Sequence, residues 1–347
     1  MSVDHEKYIS RCFELARRAG RDTLSNPQVG AVLVYKGRII GEGFHKKFGG
    51  PHAEVNCLAS VKEADKSFIS EATLYVSLEP CCIVSKTPAC TDAIIRANIP
   101  KVVISVTDPD SRVSGRSRGI LEQEGIEVIT DILTEEGLRL ISPFRAHLAQ
   151  RPHVILKWAQ SADGYLGKRG KQVWLSNKHS KIKTHQWRSE VDAILVGRGT
   201  VLVDDPELTT RLVPGSDPLR VVLGRTLAGM EGSKVLQDEK PTLFALTGPK
   251  LEGWDYHNKE QLAIAMDASG SPIEALLKAL FERGVHNLMV EGGAQVHKSF
   301  VKSGLWDEAR IINTRRVLIS GIRAAKVSGE LFREEKLDDD VISYISV

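Results

Sequence analysis

Apolar positions along the first part of the chain switch repeatedly between two periods. Tyr8, Ile9, Cys12, Phe13 and Ala16 recur at helical spacing, and Gly20 follows as a stop. Residues 29–35 form an apolar run that predicts a strand, with Lys36-Gly37 as a turn and residues 38–41 as the hairpin partner. A helix is expected to start at Pro51-His52, since proline is tolerated in a first turn. Strands at 73–78, 102–106 and 126–129 then alternate with helices at 91–97 and 118–124. Such alternation predicts an α/β fold, a largely parallel or mixed sheet covered by helices.

A second alternating set follows Arg151-Pro152. Strands are expected at 153–158, 193–197, 219–223, 242–246, 262–266, 287–291 and 310–313, with helices at 178–189, 272–283 and 294–303. No repeat relates the two sets. The chain therefore divides into two different domains, expected at residues 1–146 and 147–347.

Composition changes the picture in one respect. Apolar residues at 42% and charged residues at 26% are ordinary globular usage, and a net charge of +3 is no basic field for a polyanion. No apolar run approaches the roughly 20 residues needed to span a bilayer. The start of the chain carries no signal-peptide core, so a cytoplasmic protein is expected. The five cysteines, however, are Cys12, Cys57, Cys81, Cys82 and Cys90, with none beyond. An odd, clustered set argues for a metal or catalytic site in the first domain rather than a disulfide framework.

The pattern His52-Ala53-Glu54, Pro80-Cys81 and Cys90 gives that site a chemistry. A catalytic zinc takes three protein ligands and keeps a fourth position for water. His52, Cys81 and Cys90 supply one neutral nitrogen and two thiolates, whose charge offsets that of one Zn²⁺ per chain. Glu54, two positions from His52, would reach the water without ligating the metal and move its proton, the division of labour in zinc deaminases. The usual second cysteine of Pro-Cys-x-x-Cys is absent, because Val84 stands there. Cys82, adjacent to Cys81, reaches the same ion poorly, which leaves Cys90 as the better ligand. Cys12 and Cys57 lie on apolar helix faces and read as packing residues.

Asn26-Pro27-Gln28-Val29-Gly30, His45, Pro51-His52-Ala53-Glu54-Val55, Leu78-Glu79-Pro80-Cys81 and Lys86-Thr87-Pro88-Ala89-Cys90 together resemble the deaminase half of the bifunctional riboflavin-biosynthesis deaminase/reductases. That resemblance implies a cytidine-deaminase-like three-layer domain in which the long spacing between the cysteines is normal. It further implies a 2,5-diamino-6-ribosylamino-4(3H)-pyrimidinone 5′-phosphate substrate, with Asn26, His45, Lys86 and Asp108 lining its pocket. One departure is Ile83, where relatives carry a substrate-contacting histidine. It opens a second reading, a reductase with a silent deaminase domain.

The second half lacks Gly-x-Gly-x-x-Gly after a strand, so the ordinary dinucleotide fingerprint is missing. Gly197-Arg198-Gly199-Thr200 and Glu291-Gly292-Gly293-Ala294 each join a strand to a helix and could approach a phosphate or simply connect. On local grounds Trp174 reads as a core aromatic, Arg188 as a solvated helix face and Asp204-Asp205-Pro206 as a turn. Leu156-Lys157-Trp158-Ala159, Trp174-Leu175-Ser176, residues 193–200, Asp204-Asp205-Pro206, residues 209–211 and residues 290–294 resemble the same family's reductase domain. The resemblance implies a dihydrofolate-reductase-like α/β domain using NADPH to reduce the ribosyl group to ribityl. Ala159, Trp174, Thr200, Asp204 and Gly293, with the 293–299 segment, would contact NADPH. Gln172, Arg188, Leu208, Arg211 and Glu291 would contact substrate, the two arginines at its 5′-phosphate, with Lys157 and Asp163 at the sugar. Gly224-Arg225 departs from the family pattern, and either Arg225 or Arg198 could read the 2′-phosphate of NADPH. The expected partners are therefore small pyrimidine ribosyl and ribityl phosphates, with no nucleic acid and no membrane. A homo-oligomer, dimer or tetramer, is the family's implication. A nucleic-acid base deaminase with an accessory domain is the alternative of another substrate class, recognisable by salt-sensitive polynucleotide binding.

Overall fold

The computed structural model describes residues 4–20, 22–23, 25–83 and 88–347. They form two compact units, Met1–Ala149 and Gln150–Val347. The expected boundary after residue 146 falls inside a helix, Ser142–Leu148, and the units part just beyond it.

The first unit runs α1 (His5–Arg17), β1 (Gly30–Tyr35), β2 (Arg38–Phe44), α2 (Ala53–Ala59), a 3-10 turn at Glu63–Glu71, β3 (Thr73–Leu78), α3 (Cys90–Arg96), β4 (Lys101–Val106), α4 (Arg116–Gln123), β5 (Glu127–Ile129), α5 (Thr134–Leu140) and α6 (Ser142–Leu148). Its five-stranded sheet is ordered β2-β1-β3-β4-β5. β1 pairs antiparallel with β2 and β3, whereas β3, β4 and β5 are parallel, so the sheet is mixed as expected. Alternation along β1 sends Ala31 and Leu33 to a core with Ala53 and Cys57 of α2, Ile94 of α3 and Leu121 of α4. Val32 and Val34 meet Ile9, Cys12 and Phe13 of α1 on the opposite face. The result is a three-layer sandwich. Asp4 starts α1 by accepting from the Lys7 N–H at 3.2 Å. The helix is held mainly by burying Ile9, Phe13 and Leu15, each contributing about 1.5–3 kcal/mol.

The second unit runs β6 (His153–Gln160), β7 (Tyr165–Gly167), α7 (Lys178–Ser189), β8 (Ala193–Gly197), α8 (Arg198–Asp204), β9 (Leu219–Gly224), α9 (Lys234–Gln237), β10 (Thr242–Leu246), β11 (Lys259–Ala263), α10 (Ile273–Phe281), β12 (Asn287–Gly292), α11 (Ala294–Ser303), β13 (Glu308–Asn313), β14 (Ile322–Arg323), β15 (Glu330–Leu337) and β16 (Asp340–Ser346). Nine strands form a sheet ordered β11-β10-β9-β8-β12-β6-β13-β16-β15. The strands from β11 to β13 are parallel, and β16 and β15 add an antiparallel hairpin at the other edge. Val154, Leu156 and Trp158 face α10 and α11, while Ile155 faces Trp187 of α7, Val201 of α8 and Val235 of α9. Gly197, Gly224 and Gly292 end their parallel strands on one side of the sheet, and the helices α8 and α11 begin there. That side is where open parallel sheets place ligands.

Candidate active sites

The first site is assembled from three chain segments. His52 stands in extended backbone at the N-cap of α2, Cys81 follows the Glu79-Pro80 turn after β3, and Cys90 is the first residue of α3. Each cysteine Sγ lies 3.3 Å from His52 Nδ1. All three donor atoms fall within 4.8 Å of one another. Zinc bonds of about 2.0–2.3 Å at tetrahedral angles place their donors about 3.5 Å apart, so this set fits the ion. The Cys90 N–H donates to Cys81 Sγ at 3.4 Å. Together with the Cys90 thiol and His52, it holds the Cys81 thiol low, at about 4, while Cys90, deep beside it, is pushed up. Two sulfurs this close cannot both ionise without a cation between them, which is the charge a divalent metal brings.

Glu54, on the first turn of α2, is 3% exposed. Burial, then the charge of Cys81, raises its carboxyl above the usual range. A buried acid shifted towards neutrality is suited to accept and return a proton. α2 reaches this position because Gly43 of β2 has no side chain. A Cβ there would lie 2.2 Å from the Cys57 nitrogen and 2.6 Å from the Ala53 carbonyl oxygen.

His45 and Asn26 meet beside the site, with Asn26 Nδ2 3.1 Å from His45 Nε2. His45 Nδ1 lies 3.1 Å from the Pro51 carbonyl, and burial lowers the ring's pKa. A neutral ring that donates from Nδ1 must accept at Nε2, which fixes its tautomer. The His45 and His52 rings pack edge-on at 5.4 Å. Asp108 is buried, and that burial raises its carboxyl to about 6. Lys86 lies outside the described residues. Sequence reasoning assigned no role to Glu79, yet its carboxylate accepts from the backbone N–H of Asp108 at 3.1 Å, Gly115 at 3.0 Å and Arg118 at 3.3 Å. The signal was an acid wedged between the strand end and Pro80.

In the second unit Lys157 of β6, Glu291 of β12 and Arg188 of α7 converge. Arg188 donates to both Glu291 oxygens at 2.8 Å, and Lys157 Nζ stands 3.7 Å away. Burial works against the Glu291 charge, but Arg188 and Lys157 overcome it and hold the carboxyl at about 2. Burial lowers the Lys157 ammonium. The local reading of Arg188 as a solvated face is thus overturned, because α7 turns it inward. Three of its five N–H groups are engaged here: Nε and Nη2 donate to Glu291 and Nη1 to the Thr209 carbonyl at 3.0 Å, which leaves one N–H on each Nη for a further acceptor. Arg211, with a side chain 41% exposed, donates from Nη1 to the Thr209 hydroxyl at 3.1 Å and stands 3.5 Å from Glu207 Oε2. Trp174 is no core aromatic; it is 59% exposed beneath Lys181 Nζ.

Thr200 and Gly293 are joined by a 3.1 Å bond from the Gly293 N–H to the Thr200 hydroxyl, linking the starts of α8 and α11. Gln172 reaches the Asp204 carbonyl at 3.4 Å, and Ala159 lies half-buried near the end of β6. A Cβ on Gly199 would meet nothing within 4 Å, so the space over the first turn of α8 is open. Two helix starts with glycines at the ends of adjacent parallel strands fit a phosphate-bearing cofactor. Leu208 does not fit its expected role through its side chain, which is 2% exposed in the core. Asp163 is engaged by its own unit. It accepts from the Ser161 hydroxyl at 2.6 Å and from the Leu318 and Ile319 N–H groups at 3.0 and 2.7 Å.

A His/Cys/Cys donor set beside a buried glutamate, on a mixed sheet between helices, defines a zinc-dependent deaminase unit, here followed by a reductase-type α/β unit. Residues 2–106 match the cytidine and deoxycytidylate deaminase zinc-binding region, and residues 152–332 match the RibD C-terminal domain. The riboflavin biosynthesis protein RibD of Aquifex aeolicus is 38% identical over 91% of this chain and 88% of its own length. That of Escherichia coli is 32% identical over 92% and 90%. The crystal structure of a diaminohydroxyphosphoribosylaminopyrimidine deaminase/5-amino-6-(5-phosphoribosylamino)uracil reductase from Thermotoga maritima superposes with a TM-score of 0.81, at 34% identity over 99% of this chain and 98% of that one. The chain belongs to the RibD family. It is a bifunctional enzyme of riboflavin biosynthesis, with a zinc-binding deaminase domain and an NADPH-dependent reductase domain. Among the described residues no helix is long and apolar enough to cross a membrane.

Proposed function

We propose that the N-terminal unit removes the 2-amino group of 2,5-diamino-6-ribosylamino-4(3H)-pyrimidinone 5′-phosphate as ammonia. The C-terminal unit then reduces the ribosyl group to ribityl, giving 5-amino-6-ribitylamino-uracil 5′-phosphate. The observation that carries this reading is the convergence of His52, Cys81 and Cys90 beside the buried Glu54.

His52, Cys81 and Cys90 hold one zinc, which when bound acidifies a water for attack on the ring carbon bearing the amino group. Glu54 takes the proton from that water and returns it to the departing nitrogen, so that water adds and ammonia leaves. Asn26 and the tautomer-fixed His45 orient the substrate, Asp108 and Lys86 binding its polar edge. In the reductase unit Ala159, Trp174, Thr200, Asp204 and Gly293 hold NADPH, which when bound supplies the hydride. Lys157 and Glu291 sit at the sugar, and Gln172, the Leu208 backbone and Arg211 bind the remainder, Arg211 at the 5′-phosphate. Arg188 fixes the charge of Glu291 and, with its remaining N–H groups, contacts the substrate phosphate beside Arg211. The enzyme works in the cytoplasm as a homo-oligomer, with small phosphorylated pyrimidines as its partners.

Incubating the full chain with the diamino substrate and NADPH tests the whole reading. Ammonia release followed by NADPH consumption supports it. Reduction of the deaminated substrate without ammonia release from the diamino form would instead favour the silent deaminase that Ile83 suggests.

A further inference from the structure

We infer that Thr209 is a positioning residue of the reductase, fixing where Arg211 meets the phosphate monoester of the substrate; this rests on the reading of Arg211 just given. Thr209 is 3% exposed and is bonded at its carbonyl and its hydroxyl. Its carbonyl accepts from Arg188 Nη1 at 3.0 Å. Its hydroxyl accepts from Arg211 Nη1 at 3.1 Å. A continuous chain of contacts therefore runs from Lys157 and Glu291, through Arg188 and Thr209, to Arg211. It joins the sugar end of the site to the phosphate end.

The neighbours of Thr209 hold it in place. Leu208 is locked in the core at φ +55°. The Thr210 N–H donates to Asp217 Oδ1 at 2.7 Å, and its hydroxyl donates to the Ser216 carbonyl at 3.2 Å. Arg211 is the most exposed member, its side chain 41% exposed, with Glu207 Oε2 at 3.5 Å as a second anchor. Binding a phosphate with a long, free arginine costs rotamer entropy, and a bond made beforehand reduces that cost. Without the Thr209 hydroxyl, Arg211 is left to the Glu207 carboxylate, which competes with phosphate for the same N–H groups.

The test is steady-state reduction by the full chain of 5-amino-6-(5-phosphoribosylamino)uracil and of its dephosphorylated form, with NADPH oxidation as the readout. Thr209→Val should raise KM for the phosphorylated substrate by about tenfold, the worth of one hydrogen bond to a charged group. KM for NADPH, turnover at saturation and KM for the dephosphorylated form should stay at wild-type values. Thr209→Ser, which keeps the hydroxyl, should restore the phosphorylated KM. Arg211→Ala separates the two ideas. If Arg211→Ala erases the preference for phosphate and Thr209→Val leaves it intact, the positioning role is wrong while the Arg211 reading stands. If Arg211→Ala leaves the preference intact, that reading falls and the positioning role falls with it. A loss in Thr209→Val shared equally by both substrates, or unrepaired by serine, shows a merely structural residue.

Discussion

At the scale of single residues, burial decides what a side chain can do, and burial is what local reading judged least well. Arg188 and Trp174 exchanged places: the arginine is inside on Glu291, and the tryptophan is 59% exposed. Charge on a helix and aromaticity in a loop are average guides to burial, and functional positions depart from the average. Glu54, by contrast, lies where its spacing from His52 placed it, buried on the first turn of α2. Glu54→Gln should lower ammonia release by about 10²–10⁴-fold, the usual worth of a general acid–base group. Metal analysis should still find one zinc, and reduction of the deaminated substrate should continue.

Glu291 carries a second prediction. Its carboxyl sits at about 2 in the folded unit, below its ordinary value near 4.3. A depressed acid contributes stability that is complete above its unfolded pKa and is lost as pH falls through the folded one. Unfolding midpoints of the wild type should therefore drop between about pH 4.3 and pH 2, more steeply than those of Glu291→Gln. Glu291→Ala, which strands two buried cations, should cost about 3–5 kcal/mol at neutral pH. Cofactor choice belongs to this scale as well. Arg198 is already tied to the Ala228 carbonyl, and Arg225 is exposed just past β9, on the strand-end side. Arg225→Ala should reduce the preference for NADPH over NADH; an unchanged ratio in both Arg225→Ala and Arg198→Ala would falsify the 2′-phosphate assignment.

At the scale of elements, strands with continuous apolar runs were read from the chain, and polar or short elements were not. The hairpin of β15 and β16 went unforeseen because β15, Glu330-Leu331-Phe332-Arg333-Glu334-Glu335-Lys336-Leu337, is a charged edge strand with no buried face. β11 begins at Lys259, earlier than the apolar pattern at 262–266 suggested, because its register is set by pairing with β10. α8 is a short helix whose start at Gly197-Arg198-Gly199-Thr200 was read from the chain, whereas its extent to Asp204 was not. Which helix may lie against which strand is equally hidden until the sheet exists. Gly43 looks ordinary in sequence, yet it is the point at which α2 rests on β2. Gly43→Ala should cost about 3 kcal/mol or more, as backbone overpacking does. It should also lower zinc content, since displacing α2 moves His52; thermal unfolding and metal analysis together would show both effects.

At the scale of the whole molecule, the two units divide the chemistry as they divide the cysteines. Zinc needs soft thiolates, and these lie only in the first unit, whereas the second works with backbone, cations and a cofactor's hydride. Treating the full chain with a strong chelator should abolish ammonia release and leave reduction of the deaminated substrate at its original rate. Parallel loss of both activities would show that the metal also supports the second unit. The sequence by itself determined the alternating α/β architecture, the two-unit division and the set His52, Glu54, Cys81 and Cys90. Hydrophobic period and ligand chemistry are properties of residue type and spacing, and both can be read along a line. Only the tertiary structure decided that Glu79 fastens the loop bearing Asp108, that Arg188 serves Glu291, and that Thr209 holds Arg211. Those roles depend on which polar groups are buried together from distant segments. Desolvation and hydrogen-bond geometry arise only once the layers have closed on each other.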